Sequence, residues 1–363
     1  MKHSIASSEL ALLLLSTQPA IANQSATRGG TVIGWGDNNA GQATAVPTWV
    51  SPNLPSGSTN AVHVAGQLLT NVTAIAAGHS HSLALRADGT VVGWGGDLTG
   101  EVTGSKTGSA PATASGTVTI GGRVLSNVTA IAAGYSYSLA LNREGRVAAW
   151  GRGRMSGQEN DLAPPAGLSN VTAIAAGYAH GMALKNDGTV VGWGWTLVPP
   201  GLHDVVAIVA GRWEWAHDLA LKRDGTVVEW ARTSINNEVP VPAALSNAVA
   251  IAVGEDQNLA LRRDGTVFGW RGNNFGQATG TPDGGSGLVT IGGRVLSNVV
   301  AVAAGSGYSL GLKQDGTVVA WGRWHWLYPV PAPAGLTNVT AIATGHSFCL
   351  AITTNAAPFA LKR

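Results

Sequence analysis

Apolar and polar positions follow one another along this chain in a fixed order that returns again and again. In residues 71–95 (NVTAIAAGHSHSLALRADGTVVGWG), positions 73–78 form a short apolar run with β-branched Thr73 and Ile75. Positions 81–86 then alternate, with Leu83 and Leu85 on one side and Ser82 and Ala84 on the other. A period of two is the mark of a strand. Asp88-Gly89 follows, a pair that accepts the positive φ of a tight hairpin turn. Positions 90–95 supply a third strand closing on Trp94-Gly95. One unit therefore predicts a small antiparallel sheet. Its small residues Gly78, Ala84 and Gly93 imply close packing on both faces, so each sheet must stack on neighbours.

Six complete units close on Trp94, Trp150, Trp193, Trp230, Trp270 and Trp321. Two fragments remain. Residues 337–355 hold the first two strands, and residues 29–36 hold only the turn and third strand. Together they make a seventh unit, cut at its turn. A ring whose ends share one sheet has no free edge, so the expected fold is all-β: a closed seven-bladed β-propeller over residues 29–355, its seventh blade shared between the N- and C-terminal segments. At 363 residues the chain could hold two domains, but the repeats run nearly end to end and predict one. Three connections are long. Two contain SGTVTIGGRVLSNV (from Ser115) and SGLVTIGGRVLSNV (from Ser286), each of which reads as an extra hairpin around Gly-Gly, and residues 61–71 are a weaker relative.

Ahead of the repeats, Lys2 precedes an apolar run at residues 10–15, and Ala20-Ile21-Ala22 has the form of a cleavage site. Residues 1–22 are expected to be a secretory signal peptide, residues 23–28 a leader and residues 356–363 a tail, with the protein secreted or periplasmic. No stretch approaches the ~20 apolar residues of a membrane span.

Charge and candidate chemistry narrow the function. Charged residues are 12% of the chain, the net charge is +2, and no basic run occurs, which argues against nucleic acid as a partner. The single cysteine, Cys349, falls in a core strand. His81, Tyr137, His180, His217, Gln257, Tyr308 and Phe348 share one repeat position; a slot that takes His, Tyr, Gln or Phe serves packing and hydrogen bonding, not metal ligation. His79 and His346 lack a third ligand. The Asn-Val-Thr triplets at Asn71, Asn127, Asn170 and Asn338 begin first strands and read as repeat chemistry. Asp37, Asp97, Glu214, Glu255 and Asp256 show no spacing that singles out an acid–base pair. No catalytic residue, metal site or cofactor is expected, and the chain is read as a non-enzyme.

Strand order places the loops after the repeat glycines and the loops after the Trp-Gly endings at one end of the sheets, with the Asp-Gly turns at the other. Beyond the seven repeat tryptophans, Trp195, Trp213, Trp215, Trp324 and Trp326 fall in loops of the first kind. Arg212, Glu214, Arg323, His325 and Tyr328 lie among them. Trp, Tyr and Arg are the residues that dominate protein interfaces, so these ten form the expected partner-binding surface.

IAAGHSHSLAL, IAAGYSYSLAL and IAAGYAHGMAL, each followed by an acidic-Gly turn and a Trp-Gly ending, resemble the regulator-of-chromosome-condensation repeat family. Gly36-Asp37-Asn38-Asn39-Ala40-Gly41-Gln42 and Gly272-Asn273-Asn274-Phe275-Gly276-Gln277 are similar to its G-x-N-x-x-G-Q loop. The Ala/Gly-rich repeats look closer to the family's secreted bacterial members. The resemblance implies the propeller and a protein-binding role; within it, a non-catalytic scaffold is the first expectation. A secreted enzyme inhibitor like the β-lactamase-inhibiting member and a glycan-binding lectin are the alternatives.

Overall fold

The computed structural model describes residues 29–47, 60–105, 113–152, 162–213, 217–231, 238–282, 285–323 and 331–354. Every helix or strand element among them is a strand. The predicted unit forms as read: Val72–Ala77, His81–Arg86 and Val91–Gly96 lie side by side and antiparallel, and Thr113–Thr117 joins the far edge. Among the described residues seven sheets of three or four strands repeat this plan, with three two-stranded hairpins besides. They are numbered here by their first strands, which begin at Val72, Val128, Val171, Val205, Ala248, Val299 and Val339. Sheet seven is built from both ends of the chain. Phe348–Thr353 pairs with Val339–Thr344 on one side and with Thr31–Gly36 on the other, placing Trp35 opposite Cys349. Each sheet packs against the next, and sheet seven packs against sheet one.

A left-handed corner starts every first strand. Asn71, Asn127, Asn170, Asp204, Asn247, Asn298 and Asn338 have φ between 53 and 58°, a conformation that Asn and Asp tolerate better than other side-chain-bearing residues. At this corner the Asn127 carbonyl accepts the Arg143 N–H, while the Val128 N–H donates to Gly89 of the previous sheet. The Asn-Val-Thr triplets thus have a backbone reason to exist.

The core is a set of interfaces between sheets rather than one centre. Leu83, Leu85 and Val91 of sheet one pack against Val128, Ile131 and Trp150 of sheet two. All seven repeat tryptophans (Trp35 and the six that close complete units) are buried. At the boundary of sheets one and two, polar groups form a relay. Ser138 Oγ donates to the Glu101 carbonyl at 2.8 Å, so the His81 ring, 3.0 Å from that hydroxyl, must donate to it; Trp150 Nε1 donates to the same carbonyl at 2.9 Å. Between sheets five and six, Ser309 and Trp321 likewise donate to the Gln277 carbonyl, while Gln257 Nε2 donates to the Tyr308 and Gly305 carbonyls and lies 3.4 Å from Ser309 Oγ. Burial, with Arg212 adding to it, pushes the His81 pKa down to about 3, so the ring is neutral.

Sheet four departs from this plan. Glu229 stands where sheets one and five have Gly93 and Gly269, and Asp218 where sheets one and two have Ser82 and Ser138. Buried Asp218 accepts from His180 Nε2 (2.9 Å), Thr196 Oγ1 (2.8 Å) and the Gly211 N–H (3.1 Å). Buried Glu229 accepts from Trp270 Nε1 (2.8 Å) and from Arg271 of sheet five. Arg271 takes a left-handed φ of 71° at a position that is glycine in its counterparts Gly95 and Gly151.

Candidate interaction site at the loop-bearing end

The two classes of loop do meet at one end of the sheets. In five of the sheets the residue that follows the third strand reaches back to the loop between strands one and two: Asp37 to Ser347, Arg152 to Ser136, Trp195 to Ala179, Gly272 to Asp256 and Arg323 to Gly307. The loop after the third strand is itself braced. Asn38 Oδ1 accepts the Ala43 and Thr44 N–H groups, while its amide donates to Thr44 and Val46; Gln42 Oε1 accepts the Ala40 N–H. Asn273 and Gln277 repeat this. In sheet one the same posts are held by Asp97, which accepts the Val102 N–H and the Thr103 hydroxyl, and by Glu101, which accepts from Thr99. Burial raises the pKa of both carboxyls, against the pull of those hydrogen bonds. Asp97, a carboxylate considered for acid–base work, is thus a turn brace in this geometry.

Towards the middle of this end, the residue after each repeat glycine turns inward. His79, Tyr135, Tyr178, Glu255 and Ser306 donate their backbone N–H to the next sheet in order, on Gly134, Gly177, Gly211, Gly305 and His346. Arg212 makes no such bond to Gly254. Instead its guanidinium donates to the Ala77 carbonyl of sheet one and to the Ala304 carbonyl of sheet six. Burial lowers the Arg212 pKa to about 10, which still leaves it cationic. Trp213 stacks on His346 (5.0 Å, 6°), His346 lies 4.6 Å from His79, and Tyr135 lies 4.1 Å from His79 and meets Tyr178 edge-on. A narrow opening lies between His79, Trp213 and His346 on one side and Arg212, Glu255 and Ser306 on the other. No group of three or more potential metal ligands occurs among the described residues.

The expected partner-binding residues divide accordingly. Trp195 is 49% exposed, held out by its neighbour Thr196, which is buried on Asp218. Arg323 is exposed, next to Trp321-Gly322. Arg212 and Trp213 point into the middle, not outward. Glu214, Trp215, Trp324, His325, Trp326 and Tyr328 lie outside the described residues. Sequence reasoning missed Tyr135 and Tyr178 in the inward cluster and weighed His79 and His346 only as metal ligands; the signal was the position itself, directly after each repeat glycine. It also missed the exposed apolar residues Val46, Leu98 and Leu197 on the third-strand loops.

Residues 72–100, 128–158, 171–196 and 299–323 match the model of the regulator of chromosome condensation (RCC1) repeat. These four stretches are similar to RCC1 repeats. Three solved structures are similar over nearly the whole chain. Prp20p from Saccharomyces cerevisiae superposes with a TM-score of 0.67 over 93% of this chain and 94% of its own, at 17% identity. The structure of Kap60 bound to yeast RCC1 (Prp20) gives 0.68 over 98% and 95%, at 16% identity. Human WBSCR16 gives 0.64 over 90% and 100%, at 17% identity. At such identities the likeness concerns the fold, an RCC1-type β-propeller. No helix of the described residues is long and apolar enough to cross a membrane.

Proposed function

We propose that the seven sheets close into a seven-bladed ring and that this propeller is a non-catalytic scaffold which binds a protein partner at its loop-bearing end. Closure is supported by the pairing of Thr31–Gly36 with Phe348–Thr353, by the packing of sheet seven on sheet one, and by the opening beside Arg212 that residues of sheets one, four, five, six and seven line together, with Tyr135 and Tyr178 joined to it through His79. The observation that carries the binding reading is the placement of apolar side chains. Val46, Leu98 (69% exposed), Trp195 and Leu197 are all exposed on the braced loops that follow third strands. Rigid, exposed aromatic and aliphatic groups on a fixed frame are what protein interfaces use as anchors. The solved relatives fit this use: Prp20p has binding properties toward Gsp1p and histones, and Kap60 is bound to yeast RCC1 (Prp20). The leader-like residues 1–22 and the low charge support a secreted or periplasmic protein of bacterial style.

The test is cross-linking with mass spectrometry on the full chain in its native fraction, beside a Leu98→Ser/Trp195→Ala/Leu197→Ser variant of unchanged thermal unfolding. Cross-links that map to the third-strand loops, and a captured protein lost by the variant, support the reading. Capture that survives the triple substitution removes these loops from the interface.

A further inference from the structure

Two features the binding reading leaves unused occur together at the opposite end, where the Asp-Gly turns lie. The first is a set of hairpins: His63–Val64 with Gln67–Leu68, Thr119–Ile120 with Arg123–Val124, and Thr290–Ile291 with Arg294–Val295. Each is anchored at this end. Val118, just before the second hairpin, donates to Val91, the residue that starts a third strand; Val128, just after it, donates to Gly89 of the turn. Val289 and Val299 repeat this on Val267 and Gly265. The tip glycines Gly121, Gly122, Gly292 and Gly293 have open space around them. Val124 (53% exposed) and Val295 (45%) sit there beside exposed Arg123 and Arg294, and Leu68 is exposed beside Gln67.

The second feature is arginine. Arg143, Arg223 and Arg263 occupy one repeat position, and each backbone N–H is pinned to a left-handed corner (Asn127, Asp204 and Asn247), so the side chains are displayed from fixed points. With Arg146, Arg123 and Arg294 they make six exposed arginines at this end. None of the six has a carboxylate within 4.0 Å among the described residues, whereas Lys185, Arg262 and Lys313 each pair with the aspartate of their own turn. The turn aspartates are also engaged by threonine hydroxyls, which lower their pKa. Glu144 is the exposed acid between Arg143 and Arg146. Unpaired guanidinium groups suit bidentate oxyanions such as phosphate. A nucleic acid would use the arginines but leaves exposed valines at separate hairpin tips without a role. A lipid surface uses both: cations at the headgroups and apolar tips in the shallow boundary below them.

We propose that the turn-bearing end of the sheets docks on an anionic lipid bilayer, with Arg143, Arg223 and Arg263 at the headgroup phosphates and the tips carrying Arg123-Val124 and Arg294-Val295 at its surface. Docking leaves the loop-bearing end facing away from the bilayer, and it does not depend on the protein-binding reading of that end.

The test is co-sedimentation of the full chain with phosphatidylcholine vesicles, with and without phosphatidylglycerol. Binding is expected only with the anionic lipid, and raised salt should weaken it. Each arginine near such a surface is worth about five-fold in partition, so Arg143→Ala/Arg223→Ala/Arg263→Ala should weaken binding on the order of a hundred-fold. These side chains are exposed, and unchanged thermal unfolding shows the variant folded. Val124→Ser/Val295→Ser should leave the salt-sensitive attraction but release the protein at lower salt. Leu98→Ser/Trp195→Ala/Leu197→Ser should bind vesicles like the wild type. The proposal is overturned by equal binding to neutral vesicles, by anionic binding that survives the triple arginine change, or by full competition from glycerol phosphate, which would make the site one for a free phosphate. Arginine-dependent binding of a DNA duplex with no vesicle binding overturns it in favour of nucleic acid.

Discussion

The boundary between sheets one and two and the boundary between sheets four and five are built from the same repeat by different chemistry. At the first, neutral groups pass hydrogen bonds across: the His81 ring to Ser138, Ser138 to the Glu101 carbonyl, and Trp150 to the same carbonyl. At the second, His217 occupies the slot of His81 but its side chain is 19% exposed, and Asn258, which stands where Ser138 does, leaves its buried Nδ2 without a partner. The backbone bond from Arg212 to Gly254 is missing as well. Beside the shared apolar core and the Ala248 N–H bond to Gly225, what links the sheets there is Glu229, gripping Trp270 and Arg271. A repeat protein can therefore lose its shared relay at one boundary and keep the boundary closed. The substitute must supply a buried charge and its counter-charge together, because either one alone is strongly unfavourable.

Removing one side of the ionic staple should give the largest effect. Glu229→Ala leaves Arg271 and Trp270 Nε1 without their acceptor and should lower stability by about 3–5 kcal/mol in urea unfolding. Adding Arg271→Gly, which restores the repeat glycine at φ 71°, should recover part of that loss. Equal stability of wild type and Glu229→Ala would show that the staple does not hold this boundary.

At the neutral boundary the expected effect appears with pH. The folded-state pKa of His81, about 3, lies below its unfolded value of 6.5. The unfolded chain thus takes up the proton first, and stability present above pH 6.5 is lost as pH falls towards 3. His81→Gln copies Gln257, whose Nε2 donates to the Tyr308 and Gly305 carbonyls across the boundary of sheets five and six and lies 3.4 Å from Ser309 Oγ. The variant should match the wild type at neutral pH and exceed it by about 2 kcal/mol at about pH 5. Parallel pH profiles of unfolding midpoint would sink the assignment.

Asn258→Ser brings the relay residue to the ionic boundary. It removes an orphaned amide and should raise stability by about 1 kcal/mol, read as a higher thermal midpoint. The smallest change concerns the brace of sheet one. Asp97 and Glu101 have folded-state pKa values above their ordinary ones, so the folded state keeps their protons longer and stability falls as pH rises through that range. Asp97→Asn/Glu101→Gln reproduces the Asn38–Gln42 brace and should gain less than about 1 kcal/mol at neutral pH. Its stability should also change less than the wild type's between about pH 4 and about pH 7; an unchanged slope would mean that other groups set it.

Most of the frame was legible because its signals are local. Alternation at 81–86, the Asp-Gly turn and the Trp-Gly ending sit within a few residues of one another, and the strands they predict are those that form. The split of the last sheet was legible too, because the fragments at the two ends lack complementary strands. The inward cluster was not. Which side chains meet in it depends on loops brought together from separate sheets, and no spacing along the chain encodes that. Arg212 itself reads as an exposed loop residue until its reach to Ala77 and Ala304 is seen. Glu229 and Arg271 look like isolated departures from the repeat, and only their proximity explains them as one substitution in two parts.

Sheet seven carries a consequence for synthesis. Thr31–Gly36 is made early, yet its partner Phe348–Thr353 is among the last described segments to leave the ribosome. Until then the first strand has one edge with nothing to pair with, while six sheets can already stack in order. Bringing such distant segments together is slow compared with forming hairpins between neighbours. Completion is therefore expected to wait for the end of translation, and the early strand is where a chaperone, or a second unfinished chain, would find an edge to hold.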